Sequence, residues 1–138
     1  GDLVLFLGSG FALGPPSGFA GAQPPQPKGK DVPAGVTAHR DLVYVEKGHA
    51  RNVLDLYVPK SDKPLPLVIW VHGGAWQAGD KANCPAVFLT EQGFAVASVN
   101  YRLSQHAVFP AQIEDCKAAV RWLRASAQKY NLDADRFG

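Results

Sequence analysis

Apolar and polar residues alternate with a strand-like period in the first ordered part of the chain. Residues 41–46 and 52–58 are rich in β-branched and aromatic side chains and flank a short turn-like segment, which predicts a β-hairpin. In the second strand Leu54, Leu56 and Val58 would share one face, because successive side chains of a strand point to opposite sides.

Two unbroken apolar segments follow the hairpin. Residues 67–71 and 94–100 are typical of strands buried on both faces in a parallel sheet. Between them, residues 85–92 predict a short helical segment, with a proline in its first turn and Gly93 as its C-terminal stop. Another strand is predicted to start at residues 136–138.

A long helix is predicted after Pro110. Six apolar or aromatic residues recur at spacings of three and four and form one stripe over about five turns: Ile113, Cys116, Val120, Leu123, Ala127 and Tyr130. The predicted order is hairpin, strand, helix, strand, helix and incipient strand. This order indicates the α/β class, with a mainly parallel sheet and flanking helices.

Composition and charge narrow the possible functions. Of the 138 residues, 46% are hydrophobic and 19% are charged, which is typical of one globular domain. The net charge is only +2 and the basic residues are not clustered, so nucleic acid is not expected as a partner. No apolar run approaches the roughly 20 residues that cross a bilayer, and no membrane span is expected.

The N-terminal residues differ in composition from the rest. An apolar block at 3–13 precedes Ala20-Gly21-Ala22, a small-x-small pattern that signal peptidases cleave after. Residues 1–22 are therefore predicted to be a partial signal peptide, and the Pro/Gly-rich residues 23–38 a linker to an ordered domain at 39–138. Secretion or export to the periplasm is expected. A buried N-terminal apolar segment is the alternative.

The loop after the first apolar strand, His72-Gly73-Gly74-Ala75-Trp76, carries the candidate chemistry. Ligands of open α/β sheets bind at the carboxyl ends of the strands, where this loop lies. Two adjacent glycines allow a tight backbone turn whose N–H groups can point at a ligand oxygen. Such donors stabilise the oxyanion that forms in acyl transfer. A glycine turn that merely ends the strand explains the motif equally well.

Five segments in order decide between these interpretations. The chain resembles the α/β-hydrolase superfamily, in its hormone-sensitive-lipase-like and acetyl or feruloyl esterase-like branch. The matching segments are LYVP (56–59), LVIWVHGGAW (67–76), FAVASVNYRLS (94–104), FPAQIEDCKAAVRWLR (109–124) and NLDADRFG (131–138). The resemblance implies that the N–H groups of Gly74 and Ala75 receive the oxyanion, and that Gly73 belongs to the same loop. Alanine replaces the third glycine of the HGGG motif but keeps its N–H.

The resemblance also implies a catalytic serine within Gly-x-Ser-x-Gly, followed later by an acid and a histidine. None of the six serines of this chain has that context: Ser9, Ser17, Ser61, Ser98, Ser104 and Ser126. The chain is therefore expected to be the N-terminal part of an α/β-hydrolase fold that stops before the nucleophile elbow. It would supply the oxyanion loop of a secreted serine-type carboxylic-ester hydrolase whose substrate is a small-molecule or carbohydrate ester.

Two other functions remain open. An amide hydrolase, such as an arylformamidase or an exopeptidase-like enzyme, would use the same loop, because it also forms a tetrahedral oxyanion. A non-catalytic binding domain with this fold is also possible, since fold does not fix function. No cofactor is expected. His39, His49 and His106 show no metal-ligand spacing, so no metal site is expected either.

Several residues have structural interpretations. His72 is expected to stabilise the loop by hydrogen bonding rather than to act as a base, because the family's base lies near the C-terminus. Trp76 is expected in the core, with the lining of an acyl or sugar pocket as the alternative. Arg102 and Asp115 could form an internal ion pair. The strand order of the superfamily places Cys84 and Cys116 on opposite faces of the sheet. Two free thiols are therefore predicted: Cys84 and Cys116.

Overall fold

The computed structural model describes residues 6–7 and 32–138. The predicted signal peptide otherwise lies outside the described residues, as does the predicted linker up to residue 31. The strands are β1 (Phe6–Leu7), β2 (Val36–Val43), β3 (Val53–Pro59), β4 (Leu65–Val71), β5 (Ala95–Val99) and β6 (Leu132–Phe137). The helices are a 3-10 helix at Pro85–Gln92 and α1 at Ala111–Ala125.

The strands form one mixed sheet in the order β1-β4-β5-β3-β2, with β6 also paired to β4. The β2–β3 hairpin and the β3–β5 pair are antiparallel, whereas β4 is parallel to β5, β6 and β1. The predicted α/β class, hairpin and parallel strands are confirmed. The first hairpin strand starts at Val36, five residues earlier than predicted and within the segment 23–38.

The central strand β4 has partners on both edges. One edge pairs with β5 along Leu67–Val71. The other pairs with β6 at Leu65 and Leu67 and with β1 at Trp70 and Val71. The strand predicted to start at residue 136 in fact begins at Leu132, because the chain turns onto the sheet directly after α1.

Apolar side chains form a separate core on each face of the sheet. Leu54 and Leu56 are fully buried with α1 on one face, and Val58 packs against the same core. Tyr57, between them in sequence, packs with the 3-10 helix on the other face. Cys116 lies in the first core and Cys84 in the second, and both thiols are free. The two cysteines thus lie on opposite faces of the sheet, as the resemblance implied.

Helix α1 is shorter than predicted, because the apolar stripe continues beyond its last residue. The stripe residues Cys116, Val120 and Leu123 are buried within the helix. The helix ends at Ala125, and the last two stripe residues, Ala127 and Tyr130, are buried in the turn that follows it. The spacing of apolar residues therefore predicted which residues are buried, but it did not predict where the helix ends. Among the described residues, no helix has the length and apolarity needed to cross a bilayer.

The predicted pair of Arg102 and Asp115 fastens the segment after β5 to α1. The Arg102 guanidinium donates to both carboxylate oxygens at 2.8–3.2 Å, and its backbone N–H donates at 2.9 Å. Burial alone would raise the pKa of Asp115, but these hydrogen bonds outweigh it and hold the pKa below its usual range. The ionised form of Asp115 therefore stabilises the fold.

We expect Asp115→Asn to make thermal stability less sensitive to acid. Because the folded pKa of Asp115 is depressed, its contribution is fully present above the unfolded pKa of about 4 and is lost as the pH falls below it. The Tm of the full-length protein should exceed that of the variant at pH 6, and the difference should shrink below pH 4. Asp62→Asn, at an exposed position, should follow the wild-type curve. A constant Tm difference at all pH values would contradict this role.

Candidate active site

The loop that carries the glycine motif leaves the sheet at the end of β4, beside the end of the parallel strand β5. Val71 and His72 are buried, and the next seven residues, 73–79, are exposed. Three consecutive residues adopt positive φ angles, which turn the chain sharply. They are Gly74 at 122°, Ala75 at 52° and Trp76 at 64°.

The turn is closed by its own backbone. The N–H groups of Gln77 and Ala78 both donate to the carbonyl of Gly74, at 2.9 and 3.1 Å. A Cβ atom on Gly74 would overlap the carbonyl group of Ala78, and one on Gly79 would overlap the His72 ring and the Gly73 carbonyl. Both positions therefore require glycine, for space as well as for φ.

The N–H groups of Gly74 and Ala75 have no hydrogen-bond acceptor among residues 32–138. Both residues are exposed at the carboxyl end of the parallel strands. The Trp76 N–H likewise has no acceptor there, whereas the N–H groups of Gln77 and Ala78 are used within the turn. Two adjacent backbone donors are thus available to a ligand on this side of the sheet.

His72 is packed beneath the loop. Its ring stacks on Tyr101 with the centroids 4.5 Å apart, and the Tyr101 hydroxyl donates to the His72 carbonyl at 2.8 Å. Its Nδ1 lies 2.8 Å from the Gly73 carbonyl, and its Nε2 lies 3.3 Å from an Arg51 nitrogen. Burial lowers the pKa of His72, and the charge of Arg51 acts in the same direction. The ring is neutral at pH 7, and both of its nitrogens are engaged, which does not suit a general base.

Arg51, in the hairpin turn before β3, was not identified from the sequence. Its guanidinium contacts the start and the end of the glycine loop and the segment after β5. Its partners are Tyr101 O (2.8 Å), Gly79 O (2.9 Å), Asn100 Oδ1 (3.2 Å), His72 Nε2 (3.3 Å) and Asp80 Oδ2 (3.7 Å). Asn100 also accepts from the Lys81 N–H at 2.8 Å and donates to Asp80 at 3.0 Å. The sequence did carry a signal for Asn100, because a polar residue that directly follows a buried strand often lies at a functional site.

An ion cluster around two buried side chains, Lys81 and Asp55, lies next to this network and was also missed. The Lys81 ammonium contacts Asp41 and Asp55, each at 2.8 Å. Asp55 is 1% exposed and also accepts from the Asp41 N–H and the Arg40 guanidinium. Burial would lower the pKa of Lys81, but the two carboxylates outweigh it and raise the pKa. The Ser98 hydroxyl on β5 also donates to the Lys81 carbonyl at 2.8 Å. Lys81 therefore fastens the end of the glycine loop to β5.

The described fold and loop can be compared with known proteins. Residues 54–138, more than half of the chain, match the BD-FAE family model. The chain belongs to the BD-FAE family. This confirms the family branch and the partial α/β-hydrolase fold that the sequence motifs predicted.

Several proteins that are similar to this BD-FAE chain are named as esterases. It is 31% identical to Esterase LipC of Mycobacterium tuberculosis over 79% of this chain and 29% of LipC. A truncated carbohydrate esterase from gut microbiota shares 36% identity with a TM-score of 0.68, over 74% of this chain and 38% of that one. An inhibited Esterase B from Lactobacillus rhamnosis shares 32% identity with a TM-score of 0.69, over 78% and 36%. The chain thus spans about a third of the length of these relatives.

Trp76 of this BD-FAE protein is not in the core, so that expectation was wrong. Its side chain is 42% exposed and meets Tyr101 edge to face, 5.5 Å between centroids. The backbone at this residue is left-handed, with a φ of 64°. On the next loop Val108 and Phe109 are 83% and 79% exposed. That loop is tied to Trp76 by the Ser104 N–H, which donates to the Trp76 carbonyl at 2.7 Å.

Two of the other histidines, His49 and His106, meet in the fold although they are far apart in sequence. The rings of His49 and His106 lie 4.6 Å apart. Each Nδ1 accepts a backbone N–H, from Arg51 at 3.1 Å and from Leu103 at 3.0 Å. Within the part of the chain that the structure describes, no three His, Cys, Asp or Glu side chains form a group that could hold a metal ion.

Proposed function

We propose that this protein is a serine-type carboxylic-ester hydrolase and that the N–H groups of Gly74 and Ala75 form its oxyanion hole. The observation that carries the proposal is the availability of these two donors, exposed and without an acceptor in residues 32–138, at the carboxyl end of the parallel strands. The esterase names of the similar proteins support the same chemistry.

The arrangement suits acyl transfer for an electrostatic reason. When a nucleophile attacks an ester carbonyl, negative charge develops on the oxygen, and fixed N–H donors stabilise it without reorganising. Loss of one such donor costs about 100- to 1000-fold in rate. His72 is neutral and fully engaged below the loop, so the general base and the nucleophile are assigned to residues outside this chain, the latter in a Gly-x-Ser-x-Gly elbow.

A carbohydrate ester carrying an acetyl or feruloyl group is the proposed substrate class. The likeness to a carbohydrate esterase from gut microbiota supports the carbohydrate part. The exposed side chains of Trp76, Val108 and Phe109, on two adjoining loops, offer an apolar surface for an acyl group or a sugar ring. The first of these loops carries the proposed oxyanion donors, and the second is bonded to it through the Ser104 N–H and the Trp76 carbonyl.

We expect the protein, expressed at the full length of its reading frame, to hydrolyse p-nitrophenyl acetate and an acetylated oligosaccharide. A fluorophosphonate probe should abolish turnover and label one serine. Peptide mapping should place the label in a Gly-x-Ser-x-Gly sequence and leave the six serines of this chain unlabelled. Label on one of those six, or turnover that survives full labelling, would contradict the assignment.

Export is part of the proposal, supported by the apolar residues 3–13 and the small residues at 20–22. The same peptide map reports the mature N-terminus, which we expect at Gln23. The backbone of Phe6–Leu7 pairs with β4 at Trp70 and Val71. Recovery of residues 6–7 in the mature protein would therefore show that this segment belongs to the fold rather than to a removed signal.

A further inference from the structure

Arg51 lies at the base of the glycine loop, far in sequence from the residues it contacts. The guanidinium donates to the Gly79 carbonyl at one end of the loop and faces His72 Nε2 at the other. Its Nε donates to the Tyr101 carbonyl at 2.8 Å, which fixes the plane of the group. Arg51 thus joins both ends of the loop to the segment after β5.

We propose that Arg51 is a positioning residue that sets the tautomer of His72 and thereby the direction of the Gly74 N–H. This inference rests on the proposed function, since the Gly74 N–H matters for catalysis only if it receives the oxyanion. The Arg51 side chain contacts His72, Gly79, Asn100 and Tyr101 and makes no hydrogen bond to Gly74 or Ala75.

The first step is a matter of donors and acceptors. A guanidinium has only N–H donors, so the His72 Nε2 that faces it at 3.3 Å is placed as an acceptor. It shares the two N–H groups of that Arg51 nitrogen with the Gly79 carbonyl at 2.9 Å and Asn100 Oδ1 at 3.2 Å. The single proton of the neutral ring is then on Nδ1, where it donates to the Gly73 carbonyl at 2.8 Å. If the proton were on Nε2 instead, two donors would face each other at Arg51, and two acceptors, Nδ1 and the Gly73 carbonyl oxygen, would face each other. Both contacts would be repulsive, so this tautomer is disfavoured.

The second step follows from the planarity of the peptide group. The Gly73 carbonyl and the Gly74 N–H belong to one trans peptide, in which they point in opposite directions. Holding the carbonyl toward His72 therefore holds the N–H away from it. Glycine flanks this peptide on both sides, so little else prevents it from rotating. The hydrogen bond from His72 is the restraint, and Arg51 maintains the tautomer that makes it.

The test compares Arg51→Met and Arg51→Lys in the full-length protein, with Arg121→Met, an exposed arginine on α1, as the matched control. For an aryl acetate, we expect Arg51→Met to lower kcat about 10- to 100-fold with little change in KM, a partial loss of oxyanion stabilisation. Affinity for an alkyl boronic acid, whose serine adduct is tetrahedral, should fall in parallel. Arg51→Lys should recover part of kcat, and Arg121→Met should behave as wild type.

A second readout does not depend on activity. The ¹⁵N shifts of the His72 ring, assigned by loss of its signals in His72→Gln, report which nitrogen is protonated. We expect the Nδ1–H tautomer alone in the wild type and a substantial Nε2–H population in Arg51→Met. Should Arg51→Met not fold, Arg51→Lys gives the same comparison, with a smaller Nε2–H population expected.

The two readouts separate the inference from the proposed function. Retention of pure Nδ1–H in the Arg51 variants would overturn the positioning role, whatever the activity. An unchanged kcat together with a changed tautomer would overturn its link to the oxyanion. If the wild-type protein hydrolyses no ester but the tautomer shifts as expected, the proposed function fails while the control of His72 by Arg51 stands.

Discussion

Replacing Gly74 by alanine is expected to lower kcat/KM for an ester at least about 100-fold in the full-length protein. The added Cβ would overlap the Ala78 carbonyl, and the φ of 122° is one that alanine rarely adopts. The turn closed by the Gln77 and Ala78 N–H groups must then open, which moves both proposed oxyanion donors. Steady-state kinetics on p-nitrophenyl acetate measures the effect, and the loss should fall mainly on kcat.

Gly93→Ala is the matched control for backbone strain. Gly93 also has a positive φ, 85°, but a Cβ there meets no atom within 4 Å, and the residue ends the 3-10 helix. Gly93→Ala should lose about 1–2 kcal/mol of stability, the cost of a left-handed residue with a Cβ, and keep wild-type kinetics. If Gly74→Ala kept wild-type kinetics as well, the glycine loop would have no part in the chemistry.

Replacing Lys81 by methionine is expected to destabilise the full-length protein by about 3–5 kcal/mol, the usual cost of breaking a buried ion pair. Lys81 is 8% exposed, and its ammonium lies 2.8 Å from the buried Asp55 carboxylate. Without it, the partners that Asp55 keeps within residues 32–138 are the Arg40 guanidinium at 3.5 Å and the Asp41 N–H. Denaturant unfolding measures the change in free energy.

Two further variants separate charge from packing. Lys117→Met, at an exposed position of α1, should change the free energy of unfolding little. Adding Asp55→Asn to Lys81→Met should recover part of the lost stability, because the unpaired buried charge is then removed. A double variant less stable than Lys81→Met alone would show that the loss comes from packing and not from the charge left on Asp55.

The sequence predicted the parts of the fold that depend on local pattern. The faces of β3 follow from alternation, and the apolar strands β4 and β5 follow from unbroken hydrophobic runs, because both patterns reflect burial within a few residues of chain. The glycine loop was located for a similar reason, since strand, turn and glycines are adjacent in sequence. The end of α1 was misplaced because apolar period continues into a buried turn that is not α-helical.

The contacts that support the loop could not be predicted, because they join distant positions. Arg51 lies 21 residues from His72 and 50 from Tyr101 in sequence, and nothing in the hairpin turn marks it as a partner. Asp55 occupies an ordinary alternating position of a strand, and Lys81 follows a loop. Their pairing depends on how β3 and β5 are placed side by side. The exposure of Trp76 depends on three successive positive φ angles, which its neighbours in sequence do not specify.

The hairpin that precedes the family match has a practical consequence for recombinant work on this protein. The match begins at residue 54, yet Arg40, Asp41 and Arg51 all lie before it. A version trimmed to start at that boundary would lose an edge strand, two of the charges around Asp55 and the guanidinium beneath the glycine loop. Expression boundaries, chimeras and transplanted loops should therefore be drawn to include the polypeptide from residue 36 onward.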